Sequence, residues 1–541
     1  MNNDNKNETK HSNSLALFLV GSLIMASLWG CAAKNDSTDD KPDSTEASVE
    51  ELSEANDSDY SVSDSERSDD DNNSYSKGSS GDYLSKDDII INETYENDAD
   101  GEHAILADGE VVSYTDIGVV KTGDSSGDEA DFYGENAAVF ATNGATLTLS
   151  GIYVETNGTH ANGVFSYGEG TTVNISDSVI ETSGNCSGGL MTTGGGTMIA
   201  NNLTINTSGN SSAAIRSDRG GGTVNVNGGY YKTTGTGSPV IYSTADITVS
   251  NAYLESTASQ GVVVEGKNSV TLNDCELVAD NNTKNSDKSD TYQAVMIYQS
   301  MSGDAANGTS SFSMTGGSLT NANGDIFFIN NTACTIDLEN VDITNNDSEG
   351  VFLRAEAAGW GNSGSNGGKV TLTATGQDID GDIIVDEVSA LNLYLTEGSS
   401  FDGAINSDGT AGEVYVELDE NSTWTLTGDS YITSLTCNAG SINLNGHILY
   451  VNGEVYTEGT DSAGEAIDIT SGNGSSEDGM PTDGNRNGSG DTPSGMSGGE
   501  SSDLNGSDSS GNTPPEKPSG DNGGPGEPPT DGGTPPEKPD R

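Results

Sequence analysis

The chain has 541 residues, of which 85 are Asp or Glu and only 20 are Lys or Arg, so its formal charge is −65. So large a negative charge repels nucleic acid phosphates and anionic lipid headgroups, which excludes nucleic acid as a partner. Only 31% of the residues are hydrophobic and 72 are glycine. A chain with so few apolar residues cannot form a conventional globular core along its whole length.

The first thirty residues have the pattern of an export signal. A polar start with Lys6 and Lys10 precedes an apolar run from Leu15 to Leu28, which is shorter than the roughly 20 residues of a membrane-spanning helix. The Gly30-Cys31 pair that follows resembles the lipobox of bacterial lipoproteins, although Trp29 stands where that family usually has a small residue. The resemblance implies cleavage before Cys31, a diacylated sulfur and an exported protein at the bacterial cell surface. The alternative is an ordinary secretory signal that contains a cysteine.

Composition divides the remainder into three regions. Residues 31–82 are rich in Ser, Asp, Glu and Asn and predict a disordered acidic linker. Residues 457–541 are rich in Gly, Pro, Ser and Asp and predict a disordered tail, in which Thr513–Pro518 recurs as Thr534–Pro539. The folded domain is therefore expected within residues 83–456.

That domain contains an internal repeat. Each copy has an apolar-any-apolar strand, a small or polar turn residue and a further apolar position, and most copies start about 23 to 26 residues apart. The copies begin at Leu147, Val173, Val224, Ile247, Val270, Phe312 and Ile336. A further short apolar strand precedes each copy, as at Val139-Phe140 and Val164-Phe165. Each period therefore predicts three short strands.

Alternation at period two with Thr, Val and Ile predicts strands that bury one face. No intervening segment has the length and spacing of a crossover helix, so parallel strands must coil and stack turn upon turn. The expected fold class is all-β, a right-handed parallel β-helix solenoid. Insertions near residues 281–293 and 359–369 are expected to form surface loops. Cys275 falls at a small inward position and is expected to fill the core.

The repeat resembles the right-handed parallel β-helix proteins of the pectin-lyase-like superfamily, and within it the bacterial surface adhesins and carbohydrate-binding proteins. The resemblance covers about two thirds of the chain and concerns architecture, which does not by itself select a function.

The best local candidate for a binding site is the segment Ile215–Arg219, where two of the scarce arginines flank Asp218. Matching positions on neighbouring rungs would add polar and aromatic groups to an outward stripe able to bind sugars by stacking and bidentate hydrogen bonds. The same stripe fits a solvated face whose arginines offset the many carboxylates. The predicted binding residues are Thr192, Arg216, Arg219, Tyr242, Gln299, Asn330 and Arg354.

No catalytic residues are predicted. The chain lacks the aspartate and histidine motifs of polygalacturonases, and His103, His160 and His447 stand without a nucleophile beside them in sequence. Lyase action on anionic pectin is disfavoured by the charge of the chain. A polysaccharide lyase or glycoside hydrolase remains the alternative to a binding protein, and a purely structural spacer is a third possibility.

Calcium is the expected inorganic partner, because crowded carboxylate oxygens suit this hard cation. One candidate site is the alternating set Asp378, Asp380 and Asp382, and the other is the Gly-rich segment with Asp124, Asp128, Asp131 and Glu135. Acidic loops also arise by composition alone in so acidic a chain.

The expected function is therefore that of a monomeric surface binding protein. The lipid at Cys31 would be its only contact with the membrane, and the β-helix would present a repetitive face to glycans or to surface proteins of neighbouring cells. Many weak contacts would add up through multivalency.

Overall fold

A computed structural model describes residues 83–284, 288–409 and 412–469. The signal peptide, Cys31, the acidic linker and most of the tail, including both Pro-rich repeats, lie outside the described residues. In the described residues no helix has the length and apolar character to cross a membrane.

The described chain is almost entirely β-structure, with one 3-10 turn at Lys86–Asp88 and one short helix, α1, at Asp128–Phe132. The first strands in chain order are β1 (Glu93–Asn97), β2 (Ile105–Asp108), β3 (Val111–Thr115), β4 (Ile117–Lys121), β5 (Val139–Thr142), β6 (Thr146–Ser150), β7 (Tyr153–Thr156), β8 (Val164–Tyr167), β9 (Thr172–Thr182), β10 (Leu190–Thr193), β11 (Gly196–Thr207), β12 (Ile215–Ser217), β13 (Gly222–Thr233), β14 (Ile241–Ser243), β15 (Asp246–Ser250), β16 (Tyr253–Ser256), β17 (Val262–Glu265), β18 (Ser269–Asn273), β19 (Glu276–Ala279) and β20 (Gln293–Tyr298).

The later strands are β21 (Thr309–Thr315), β22 (Ser318–Asn321), β23 (Asp325–Asn330), β24 (Ala333–Glu339), β25 (Asp342–Asn345), β26 (Leu353–Ala355), β27 (Lys369–Thr375), β28 (Asp378–Asp380), β29 (Ile383–Val385), β30 (Ala390–Thr396), β31 (Ser400–Asp402), β32 (Glu413–Leu418), β33 (Thr423–Thr425), β34 (Ser430–Ile432), β35 (Ser434–Cys437), β36 (Ile442–Asn443), β37 (Leu449–Val451), β38 (Glu454–Val455) and β39 (Ser462–Ala463).

These strands form a parallel β-helix solenoid, which confirms the predicted fold class. One long sheet, the short-strand sheet, runs through β2, β5, β8, β10, β12, β14, β17, β20, β23, β26 and β29. A second, the broad sheet, takes the two remaining strands of most rungs, and in β9, β11 and β13 these two merge into a single bent strand. Three strand segments per rung are therefore present, as the repeat predicts.

Stacked identical positions build the core. On the short-strand sheet Val164, Leu190, Ile215, Ile241 and Val262 pair in register from rung to rung, and each is at most 1% exposed. Branched aliphatic side chains stacked at this strand spacing bury one continuous apolar column. Cys275 is 1% exposed within the same core, so its predicted role as filler is confirmed.

A hydroxyl ladder fixes one corner of successive rungs. Thr182 donates to the carbonyl of Ser187, and the same bond recurs from Thr207 to Ser212 and from Thr233 to Ser238. The amide of each corner serine in turn donates to the serine hydroxyl of the next rung, at 2.9 Å from Ser187 to Ser212 and again from Ser212 to Ser238. Buried polar groups in the described corner thus satisfy one another between rungs.

Glycines make this close stacking possible. A Cβ built on Gly209 would lie 1.8 Å from the carbonyl oxygen of Gly184, and one on Gly184 would lie 1.9 Å from that of Gly158. Only glycine fits where the backbones of adjacent rungs approach so closely.

The solenoid ends in two antiparallel strand pairs. After the repeat-like segment Ile442-Asn443-Leu444, the chain continues to β39. Antiparallel pairing of β38 with β37 and of β39 with β35 replaces the parallel pattern there. A change of strand direction closes an edge that would otherwise stay open to further pairing.

Candidate functional site

The predicted stripe is only partly in register. Arg216 pairs with Tyr242, and Arg354 lies in the same outward column four strands beyond Tyr242. Thr192 instead pairs with Ser217, one position along the strand, and therefore points to the opposite face. Asn330 pairs with Tyr298 in the neighbouring outward column, and Gln299 follows the end of β20.

Most of this stripe is buried, contrary to its expected exposure. Thr192 and Asn330 are fully buried, Arg216 and Tyr242 are each 3% exposed, and Gln299 is 8% exposed. Only Arg219 and Arg354 keep appreciable exposure. An exposed sugar-binding face is therefore absent at Arg216 and Tyr242.

Segments between the strands cover the sheet and cause this burial. Thr193 donates a hydrogen bond of 2.7 Å to the carbonyl of Phe132 in α1, and the Arg219 guanidinium lies 3.6 Å from the Phe132 ring centroid. Trp360, from the second predicted insertion, packs against Tyr298 with ring centroids 5.1 Å apart. A repeat pattern locates strands but does not show where its insertions fold back.

The buried stripe is an ion-pair network. Arg216 contacts Asp218 at 2.8 Å, Arg219 contacts both Asp128 and Asp304, and Arg354 contacts Asp325 at 2.6 Å. The arginines thus neutralise carboxylates, as the alternative to a sugar-binding stripe supposes. That alternative also expects a solvated face, whereas this face of the short-strand sheet is largely buried. Buried charges require such partners.

Burial also shifts the ionisation of the acids in this network. Desolvation raises the pKa of Asp218 to about 7 despite its bond to Arg216. Desolvation likewise raises the pKa of Glu265, which accepts hydrogen bonds from Tyr242 and Tyr298.

Most of the carboxylates predicted for calcium have partners of their own in the protein. In the first segment Asp124 accepts from the amide of Thr159 at 2.7 Å, Asp128 pairs with Arg219, and Asp131 lies 3.0 Å from His160. Calcium binding at this segment stays a prediction, and the hydrogen bonds and ion pairs of these carboxylates do not add support for it.

In the second set Asp378 and Asp380 lie exposed on one face of β28, as predicted. Asp378 accepts from Ser400, and Asp382 accepts from the amide of Ala404. Neither set of carboxylates forms a group of three with ligand atoms within 4.8 Å of one another among the described residues. Calcium binding at Asp378, Asp380 and Asp382 likewise stays a prediction.

The described residues do bring Asp131, His160 and Cys186 within that distance, all three buried. Sequence reasoning missed the Asp131–His160 contact, because the two residues belong to different rungs and nothing in their local spacing links them.

An open groove of about 350 Å³ lies instead on the broad sheet, within the usual size range of ligand sites. Its floor is an outward column of four residues that pair in register on successive rungs, Glu155, Glu181, Asn206 and Lys232. Corner residues form the adjoining wall, where Ser183, Ser208 and Thr234 expose their hydroxyls. Thr156, Thr182 and Thr207 contribute only backbone there, because their side chains point inward and are buried. Carboxylate, amide, ammonium and hydroxyl groups therefore line one continuous surface.

Tyr153 holds the acidic end of this groove. Its hydroxyl lies 3.0 Å from Glu155 Oε2 and 2.6 Å from Glu181 Oε2, so the two carboxylate oxygens are at most about 5.6 Å apart. Burial, together with these carboxylates, raises the pKa of Tyr153 far above its ordinary value. The phenol therefore stays protonated and can donate to either glutamate.

An aromatic pair lies on the outward face next to the groove. Beside Lys232 on β13, Tyr230 stacks on Tyr253 with ring centroids 4.8 Å apart.

Sequence reasoning missed the groove because it searched for basic residues, whereas the groove carries mainly acids and neutral hydroxyls. The available signal was the outward residue after the last apolar position of each copy, as Glu155 after Val154 and Glu181 after Ile180. Comparisons with protein-family models, with curated proteins and with solved structures gave no match. Function must therefore be argued from the β-helix and its groove.

Proposed function

We propose that this chain is an exported, lipid-anchored surface protein, with a β-helix of the pectin-lyase-like type, that binds glycans through the groove on its broad sheet. The observation that supports this most is the in-register column Glu155–Glu181–Asn206–Lys232 beside a wall of hydroxyls. Sugars present many hydroxyls at short intervals, and such a surface offers both donors and acceptors for them. Export and anchoring are supported by the apolar run and by Cys31.

The rung spacing suits an extended ligand. Successive groove residues repeat at about 4.8 Å, so a chain of several sugar units can contact several rungs at once. Each contact is weak in water, and surface display of many copies adds affinity through multivalency.

A glycan array probed with the purified full chain tests this proposal. We expect binding that an Asn206→Trp variant loses, because the indole fills the groove floor. Thr320→Trp is the matched control, since Thr320 lies in the same outward column several rungs away and should leave binding intact. Binding that survives Asn206→Trp would contradict the site, and no binding to any glycan would favour a protein partner or a structural spacer.

Glycoside hydrolysis is the second candidate, favoured by the shared contact of Tyr153 with Glu155 and Glu181. Retaining glycosidases place two carboxyl groups about 5 to 5.5 Å apart, which the limit of about 5.6 Å permits. Each glycan that binds should therefore be incubated with the chain and analysed for new reducing ends. Reducing ends that disappear in both Glu155→Gln and Glu181→Gln variants would establish the enzyme in place of the binding protein.

A further inference from the structure

The groove has an uneven charge along its length. Lys86 lies 3.4 Å from Glu155, and Lys232 contacts Glu255 at 3.0 Å. Within the described segments no ion pair joins Glu181 to a cation, and its only side-chain hydrogen bond there comes from Tyr153. Glu181 thus places an uncompensated negative charge at the centre of the groove floor.

We infer that the groove prefers glycans carrying free amino groups, such as glucosamine oligomers, over acetylated or acidic ones. This inference rests on the proposed function. A protonated amine has three hydrogen-bond donors and no acceptor, which matches the acceptor-only carboxylates of Glu155 and Glu181. Charge-assisted bonds of this type are shorter and stronger than neutral ones.

The neighbouring groups match the remainder of such a sugar. Asn206 follows Glu181 in register and offers both a donor and an acceptor to ring hydroxyls. The exposed hydroxyls of Ser183 and Ser208 on the adjoining wall are available to hydroxyls of the same ligand.

The competing ligand classes fit less well. Acetylation removes the positive charge and leaves the Glu181 carboxylate opposite a neutral amide, while a uronic acid adds a like charge. The net charge of −65 further repels acidic polysaccharides and attracts cationic ones at low salt. A lysine-rich peptide shares the ammonium group but lacks the hydroxyls that the groove wall would contact.

Titration calorimetry in mildly acidic buffer tests the preference, with the full chain and trimers of glucosamine, N-acetylglucosamine, galacturonate and lysine. We expect the glucosamine trimer to bind most tightly, and Glu181→Gln to weaken it about tenfold and abolish the preference over the acetylated trimer. Glu339→Gln is the matched control, since it removes one exposed carboxylate from the same sheet. It should change affinity less than twofold, and urea unfolding of both variants checks that they fold.

The outcomes separate this inference from the proposed function. The amino-sugar preference is overturned if the glucosamine and N-acetylglucosamine trimers bind equally well, or if Glu181→Gln does not change the affinity. In that case, glycan binding on the array that Asn206→Trp abolishes would still support the groove as the binding site. A lysine trimer that binds as tightly as the glucosamine trimer also overturns the amino-sugar preference. Failure of every glycan, on the array and in solution, overturns both.

Discussion

Arg216 and Asp218 form an ion pair of 2.8 Å in which each side chain is only 3% exposed. The pair lies on the outward face of the short-strand sheet, where a surface stripe was expected. Its burial beneath the covering segments makes this stripe structural, whereas the groove on the broad sheet is open to solvent.

Removal of one partner of this pair should destabilise the fold strongly. Above about pH 8, where Asp218 is ionised in the parent, Arg216→Met removes the counterion of a buried carboxylate, and we expect a loss of about 3 to 5 kcal/mol in the free energy of unfolding. The double variant Arg216→Met/Asp218→Leu should recover much of that loss, because no unpaired charge remains. Urea unfolding followed by circular dichroism measures both. A double variant no more stable than Arg216→Met would contradict this account.

The folded domain should be more stable in mildly acidic than in mildly basic solution. The folded-state pKa of Asp218 is raised from 3.8 to about 7, so the stability that its neutral form contributes is full below the unfolded value and is lost as pH rises through about 7. The raised pKa of Glu265 acts in the same direction. We expect the urea midpoint to fall between about pH 5 and pH 8.

Asp218→Asn should flatten that pH dependence, because the amide does not ionise. Asp337→Asn is the control, since Asp337 is exposed on β24 and should retain the parent slope. A parent slope preserved in Asp218→Asn would show that other groups cause it.

Close rung stacking predicts a large cost for one added methyl group. Gly209→Ala forces a Cβ against the carbonyl oxygen of Gly184, and we expect the melting temperature to fall sharply, with a cost above about 3 kcal/mol. Gly144→Ala is the comparison, because its Cβ meets nothing within 4 Å and only its positive φ is strained, which costs about 1 to 2 kcal/mol. Similar melting temperatures for the two variants would refute the stacking argument.

The thiols in the core should resist modification in the native protein. Burial raises the pKa of Cys275 to about 11 and that of Cys334 still further, and reactivity requires an accessible thiolate. Peptide mass spectrometry after maleimide treatment should find both residues unmodified until denaturant is added. A cysteine placed at Val111, which is 85% exposed, should react at once. Rapid labelling of Cys275 in native protein would indicate local opening of the solenoid.

The sequence was sufficient to predict the solenoid, because alternation and the spacing of Val173, Val224 and Val270 specify stacked strands directly. It did not reveal the copy at β11, where Met198 and Ala200 occupy the apolar positions but Gly196 and the Asn201-Asn202 pair obscure the pattern. The spacing of apolar residues within one segment predicts its secondary structure. The β11 rung, however, is recognised only from its in-register pairing with β9 and β13.

The candidate site was less predictable for a related reason. The column of Arg216, Tyr242 and Arg354 follows from the repeat, but its burial depends on α1 and Trp360, which belong to no repeat. Contacts between an insertion and a distant rung leave no periodic trace. Exposure of an outward residue therefore cannot be deduced from its position in a strand alone.

The serine corners have a consequence for how such a protein changes length over evolutionary time. Ser187, Ser212 and Ser238 are linked by the same amide-to-hydroxyl hydrogen bond from rung to rung. The corners are therefore structurally interchangeable. An in-frame duplication of residues 184–208 would insert a turn that finds compatible partners on both sides. A single genetic event could thus lengthen the solenoid by one turn without requiring a new kind of contact.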